Sequence, residues 1–244
     1  MPPIAGLGWP AVLAVALVGL VVGPLLPGLW LTLAPAAHAP VWAALWADPQ
    51  WPQALQATLT SALLGTALAC ALVAGAATHL CPSSVWQRLQ RRLPLLLAVP
   101  HTAFAVGLAF LLAPSGWLAR LLAPVAGWAA PPGWVTVQDP HGLALALALA
   151  LKESWFLLWA LVAVLAEQAT ARHLLLARSL GHGPAQVWRT VLWPQVLPRL
   201  AWPLAAVLAY SLSVVDMALV LGPGNPPTVA VLAWRWLADP SPAT

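Results

Sequence analysis

From Pro10 to Leu31 the chain carries no charged side chain, and four more long apolar stretches follow: Ala54 to Leu80, Leu93 to Ala113, Gly142 to Ala166 and Leu200 to Leu221. As helix, each is long enough to cross a hydrocarbon core about 30 Å thick, which takes about 20 residues. None shows the alternation of a barrel strand. Backbone inside a bilayer must satisfy its own hydrogen bonds, so spanning helices follow. The predicted fold class is all-α, a polytopic transmembrane helical bundle. Composition agrees: 61% of the 244 residues are hydrophobic and 7% charged, with a mean hydropathy of +0.85, whereas soluble domains carry about 25% charge.

The formal charge of +4 and the pI near 10.1 do not indicate nucleic acid, because no basic cluster is interleaved with exposed aromatics. The arginines read as topology signals. Arg88, Arg91 and Arg92 lie between the second and third stretches, and Arg172, Arg178 and Arg189 between the fourth and fifth; the other face has Arg120 and Arg235. Retention of positive charge in the cytoplasm then places the amino terminus inside, with residues 32–53, 114–141 and 222 onward outside. Trp42, Trp46, Trp51, Trp117, Trp128 and Trp134 fall on that outer side, as in an interfacial aromatic belt. Arg199, at the start of the fifth stretch, can snorkel to the interface.

Pro10 to Leu31 reads as a retained span rather than a signal peptide: no Lys or Arg precedes it, and Pro40 would follow a cut after Ala37-His38-Ala39. Five spans leave the carboxyl end outside. The run Val229 to Leu237 is too short to cross, so it is expected to be interfacial, or a sixth span lies beyond this chain. Cys70 and Cys81 are eleven residues apart on one helix and its end, roughly 16 Å, too far to bridge.

The segment Leu174 to Gly181 reads as a helix closed by a glycine in the left-handed conformation. Pro184 fits the first turn of a second helix, expected to run from Ala185 to Trp193 until Pro194 interrupts it. In this helix-turn-helix the chain resembles the permease subunits of binding-protein-dependent ABC importers. Their cytoplasmic loop has the pattern Glu-Ala-Ala, three residues, Gly, nine residues, Ile, one residue, Leu-Pro. Here that register falls on Leu175-Leu176-Ala177, Gly181, Val191 and Trp193-Pro194, with Leu175 for Glu, Leu176 for Ala and Trp193 for Leu. The resemblance implies that Ala177, Arg178, Ser179, Leu180, Gly181, Val191, Trp193 and Pro194 couple the spans to an ATPase. The chain itself has no Gly-x-x-x-x-Gly-Lys-[Ser/Thr] phosphate loop, so ATP and Mg are expected on a partner subunit and no cofactor on this chain.

A narrower resemblance is carried by Val99-Pro100-His101, Leu111 to Arg120, Leu151-Lys-Glu-Ser-Trp-Phe156 and Tyr210 to Pro223. Together these look like the first unit of the tandem permeases of a bacterial thiamine uptake system. That resemblance implies the fold of a type I ABC importer permease in the inner membrane. The implied partners are an ATP-binding subunit pair, an extracytoplasmic solute-binding protein and a second permease unit, fused or separate.

Lys152, Glu153 and Asp216 lie within spans, where a central charge costs about 2.5–3.5 kcal/mol, so each needs a cavity or a partner. Lys152 and Glu153 are adjacent and about 100° apart on a helix, which prevents them from sharing one face; one of them is free to meet Asp216. His101, after Pro100, completes the pathway candidates, against the simpler reading of a packed, hydrogen-bonded histidine. His79 and Cys81 supply two ligand atoms where structural zinc needs four, so no metal site is assigned. The expected organisation is a first span and external segment over 1–53, a permease core over 54–237 with a coupling loop at 170–194, and a tail over 238–244. The function that follows is solute import without enzymatic activity of its own. The alternatives are a membrane-embedded enzyme built on Lys152, Glu153, His101 and Asp216, or a non-transporting membrane scaffold.

Overall fold

The computed structural model describes residues 9–167, 181 and 183–238, and every regular element in it is helical. Among the described residues five helical stretches are long and apolar enough to cross a membrane: Trp9–Leu31, Trp51–Leu80, His101–Ala126, Leu143–Ala166 and Ala185–Ser213. The chain divides into two compact units, residues 1–51 and 52–244. The first holds α1 (Trp9–Leu33), a 3-10 turn (Ala34–Ala37) and α2 (Ala39–Ala47). Its corner is fixed by the Trp42 indole, whose Nε1 donates to the Ala36 carbonyl at 2.7 Å. Trp46 packs edge-on against Trp51.

In the second unit α3 (Trp51–Leu80) is followed by α4 (Ser84–Ala98), α5 (His101–Leu112), α6 (Trp117–Ala126) and α7 (Leu143–Glu167). After residues 168–180 come α8 (Pro184–Val187), a π-helical turn (Trp188–Leu192), α9 (Trp193–Ser213), α10 (Asp216–Leu221) and α11 (Val229–Ala238). The last is ten residues long, short of a crossing.

The central helix is α7, which packs against α4, α5, α9 and α10. Its first turn is capped by Asp139: Oδ1 accepts from the backbone amides of His141 and Leu143, and Oδ2 from that of Ala144. This satisfies amides that an α-helix leaves open at its start. The buried stripe of α3 is small (Ala54, Ala57, Thr58, Ser61, Ala62, Gly65, Ala69), which permits close approach of backbones, as in membrane helix pairs. At Gly65 a Cβ would lie 3.0 Å from Leu149 Cβ and 3.1 Å from the Ala146 carbonyl.

Two apolar clusters hold the unit together. One joins Ala105 and Leu108 of α5, Ala144 to Leu149 of α7 and Met217, Ala218 and Leu221 of α10. The other joins Trp86 and Leu93 of α4, Leu157 to Leu165 of α7, and Trp188, Leu192, Val196 and Val207. Between them on α7 lies a buried polar step, Lys152-Glu153-Ser154. It is about 14 Å by helix rise from Leu143 and about 22 Å from Glu167.

Three expectations are corrected. The third stretch, Leu93 to Ala113, is not one helix: α4 ends at Ala98, Val99 is extended (φ −65°, ψ 120°), and α5 starts at His101. Pro100 is the cause, since it has no N–H and its ring disfavours helical geometry at Val99. The fifth stretch, Leu200 to Leu221, starts earlier, at Trp193, and breaks at Val214-Val215. Pro194 does not interrupt its helix, because it occupies the first turn of α9, and the π turn joins Pro184 to Ser213 without a gap.

Candidate functional site

Both helix breaks face the polar step of α7, and α5 and α10, which start at these breaks, pack side by side. At their far ends Thr136 Oγ1 donates to the Leu112 carbonyl, and the Gln138 backbone N–H donates to the Leu221 carbonyl at 3.2 Å. The segment before α7 therefore ties the carboxyl ends of the two short helices together. Their amino ends meet beside the Lys152-Glu153 step, well inside α7.

There three of the four pathway candidates, His101, Glu153 and Asp216, come together, with Lys152 beside them. His101 Nε2 and Glu153 Oε1 are 3.2 Å apart, with the His side chain 38% and the Glu side chain 8% exposed. Asp216, the first residue of α10, accepts from Thr102 Oγ1 at 3.2 Å and from the Tyr210 hydroxyl at 3.4 Å. The Tyr210 ring lies 5.0 Å from the His101 ring, centroid to centroid. Lys152 turns away from this group: its Nζ donates to the carbonyls of Leu96 and Leu97 at 3.3 and 3.5 Å and stands 5.1 Å from the centre of the Trp155 ring. The expected meeting of Lys152 or Glu153 with Asp216 is thus corrected, because Asp216 is bonded by two neutral hydroxyls. Asp216 begins a separate short helix beside the break at Val214-Val215.

A cavity of about 230 Å³ opens on this cluster, lined by His101, Lys152, Glu153, Phe156, Ala206, Val207 and Tyr210. It offers a carboxylate, an imidazole, a phenol and an ammonium beside apolar walls, a combination suited to binding a small polar solute. Thr102 and Tyr210 did not stand out in the sequence reading. Tyr210 carries one signal, being the chain's single tyrosine in an otherwise apolar run.

At the other end of α7, Gly181 has φ +79°, the left-handed geometry expected of a glycine cap. Ala177, Arg178, Ser179 and Leu180 lie outside the described residues. Val191 and Trp193 are half-buried and Pro194 exposed. Trp193 packs 5.1 Å from the fully buried Trp188 ring. Ala185 of α8 faces Thr78 to Ser83 across a cavity of about 480 Å³. Through the π turn α8 is continuous with α9. Cys81, on the rim of this cavity, is a free thiol like Cys70, and burial pushes its ionisation above the ordinary range, leaving it a weak nucleophile at neutral pH.

The basic residues also sort by end. Arg88, Arg91 and Arg92 on α4 and Arg189 in the π turn are exposed, near the end of α7 that leads to Gly181. Arg120 and Arg235 occupy the opposite end, where each is tied to a loop carbonyl, Ser115 at 2.9 Å and Gly224 at 3.2 Å.

No family model matches the chain. Over 224 residues, 92% of its length, the chain is 43% identical to the inner membrane ABC transporter permease protein YnjC of Escherichia coli (strain K12). The similarity covers 42% of that protein, so the chain spans about two fifths of its relative's length.

Proposed function

We propose that this chain is a membrane-spanning permease subunit of an ATP-binding cassette importer, passing a small solute across the bacterial inner membrane with ATP hydrolysed by a partner. The observation that carries this reading is the 43% identity over nearly the whole chain to a protein named as such a permease. That relative also favours transport over a membrane-embedded enzyme. The geometry agrees: helices broken at bilayer depth around a polar cavity are how many transporters build a solute site.

The amino terminus is inside in this reading, because the exposed arginines of α4 and the π turn gather at one end. A second permease unit completes the pathway. Thr102 and Ser213 are exposed and His101 is part-exposed, so the helix breaks present a polar face to their surroundings, and a lone bilayer is a poor solvent for such a face. Another permease surface or a water-filled path has to meet that face. Two carboxylates stand against one ammonium that is already engaged by carbonyls, so the site favours a cationic solute; thiamine, a permanent cation, fits that sign. An ATP-binding subunit pair and an extracytoplasmic solute-binding protein are the remaining partners.

Affinity purification of the tagged chain from membranes in mild detergent tests this reading. A stoichiometric ATP-binding cassette ATPase, identified by mass spectrometry and retained through size exclusion, is expected. A monodisperse chain that never carries one, purified from its native cells, would overturn it.

A further inference from the structure

We infer that Lys152 is a positioning residue that completes the helix break at Pro100, holding the carbonyls of Leu96 and Leu97 so that His101 is presented to Glu153. In an α-helix the carbonyl of residue i bonds the amide of residue i+4. For Leu96 that residue is Pro100, which has no N–H. For Leu97 it is His101, which lies beyond the extended Val99 and starts a new helix. The break therefore leaves these two carbonyls without their usual helical partners.

They are the two carbonyls that Lys152 reaches. Its ammonium carries three donors and no acceptor; two directions are taken by the carbonyls, and the Trp155 ring borders the group. Lys152 is only 3% exposed, so these contacts stand in for much of the hydration its ammonium gives up. Glu153, next on the same rigid helix, is turned about 100° away and meets His101. Two consecutive residues of α7 thus set both sides of the break, one holding the end of α4 and the other the start of α5.

The second break is closed differently. Ser213 Oγ donates back to the carbonyls of Ala209 and Tyr210, at 2.8 and 3.3 Å, so α9 supplies its own cap. Ala98, Val99 and Pro100 have no side-chain donor with which to do the same. The competing role for Lys152 is to balance the charge of Glu153, and the two roles separate by chemistry. Gln keeps a donor and loses the charge, Arg keeps both, and Met keeps neither.

The test is made on the purified full-length chain, independently of transport, so its failure is distinct from failure of the permease reading. Val99→Cys is introduced at the break in a background with Cys70→Ala and Cys81→Ala, and its maleimide labelling rate and folded yield are measured with Lys152, Lys152→Arg, Lys152→Gln and Lys152→Met. Lys152→Met is expected to label about tenfold faster, as loss of a charge-assisted hydrogen bond allows, or to fail to fold. Lys152→Arg and Lys152→Gln are expected to remain folded and to label close to the parent rate. If Lys152→Gln behaves like Lys152→Met, or if Lys152→Met behaves like the parent, the inference is overturned.

Discussion

Thr102 and Asp216 are 114 residues apart in the chain, yet the hydroxyl of the first donates to the carboxylate of the second across 3.2 Å, at the two places where helices break. The bond joins the starts of α5 and α10, whose far ends are joined again through Thr136 and Gln138. The pair is thus fastened at both ends and packed along a shared apolar face. A pair so fastened is expected to move as one body against the continuous α7, which gives the two breaks a mechanical meaning.

Asp216→Asn keeps the size and removes the charge. Because Thr102 and Tyr210 both donate, an amide accepts one bond and turns a donor toward the other. Assembly should survive, while uptake of a cationic solute falls about tenfold, equivalent to roughly 1.4 kcal/mol of barrier. Lys152→Met should not relieve the defect, since Lys152 is bonded to Leu96 and Leu97 and the two changes should add. Uptake assays on both single variants and the double variant check this; rescue in the double variant would restore a Lys152–Asp216 pair.

Gly65→Val tests the close contact of α3 with α7. The added atoms meet Leu149 Cβ and the Ala146 carbonyl, and overpacking of this kind costs about 1–3 kcal/mol. Thermal unfolding in detergent should show a lower midpoint, whereas Gly75→Val, with open space around its Cβ position, should show a much smaller change. Equal midpoints for the two variants would mean that α3 does not seat on α7 in this way.

The spans were legible because apolar length reports bilayer depth directly, and Gly142 to Ala166 lies within a residue or so of α7 at each end. The breaks were not. Leu95 to Val99 stays apolar up to Pro100, so hydropathy runs on where the helix stops. Val214-Val215 has neither proline nor glycine to mark it, and that break is held by tertiary contacts, the packing of α10 on α5 and the Thr102–Asp216 bond. The charged members of the site, Lys152, Glu153 and Asp216, stood out against an apolar background. Thr102 and Tyr210 did not, because neutral hydroxyls are common in membrane helices and only the fold brings them to a carboxylate.

Sidedness follows from the placement of arginines at one end. Single cysteines at Ala129 and Gly183, both exposed, should react with an impermeant maleimide from opposite faces of sealed vesicles once Cys70 and Cys81 are replaced by Ala. Gly127 is a poorer probe, since its φ of +68° would strain a cysteine. Reaction of both sites from one face would contradict the orientation.

Coupling is the central claim, and Gly181 is where it can be tested. Its φ of +79° suits glycine, and a Cβ there would meet no atom within 4 Å, so Gly181→Val acts through backbone conformation alone, at a cost of about 1–2 kcal/mol. The resulting tilt of α8 is carried through the π turn into α9. The decisive measurement is the ratio of solute taken up to ATP hydrolysed by the assembled transporter in proteoliposomes. Gly181→Val should assemble and hydrolyse ATP but import about tenfold less solute per ATP; an unchanged ratio in the assembled variant would contradict the account.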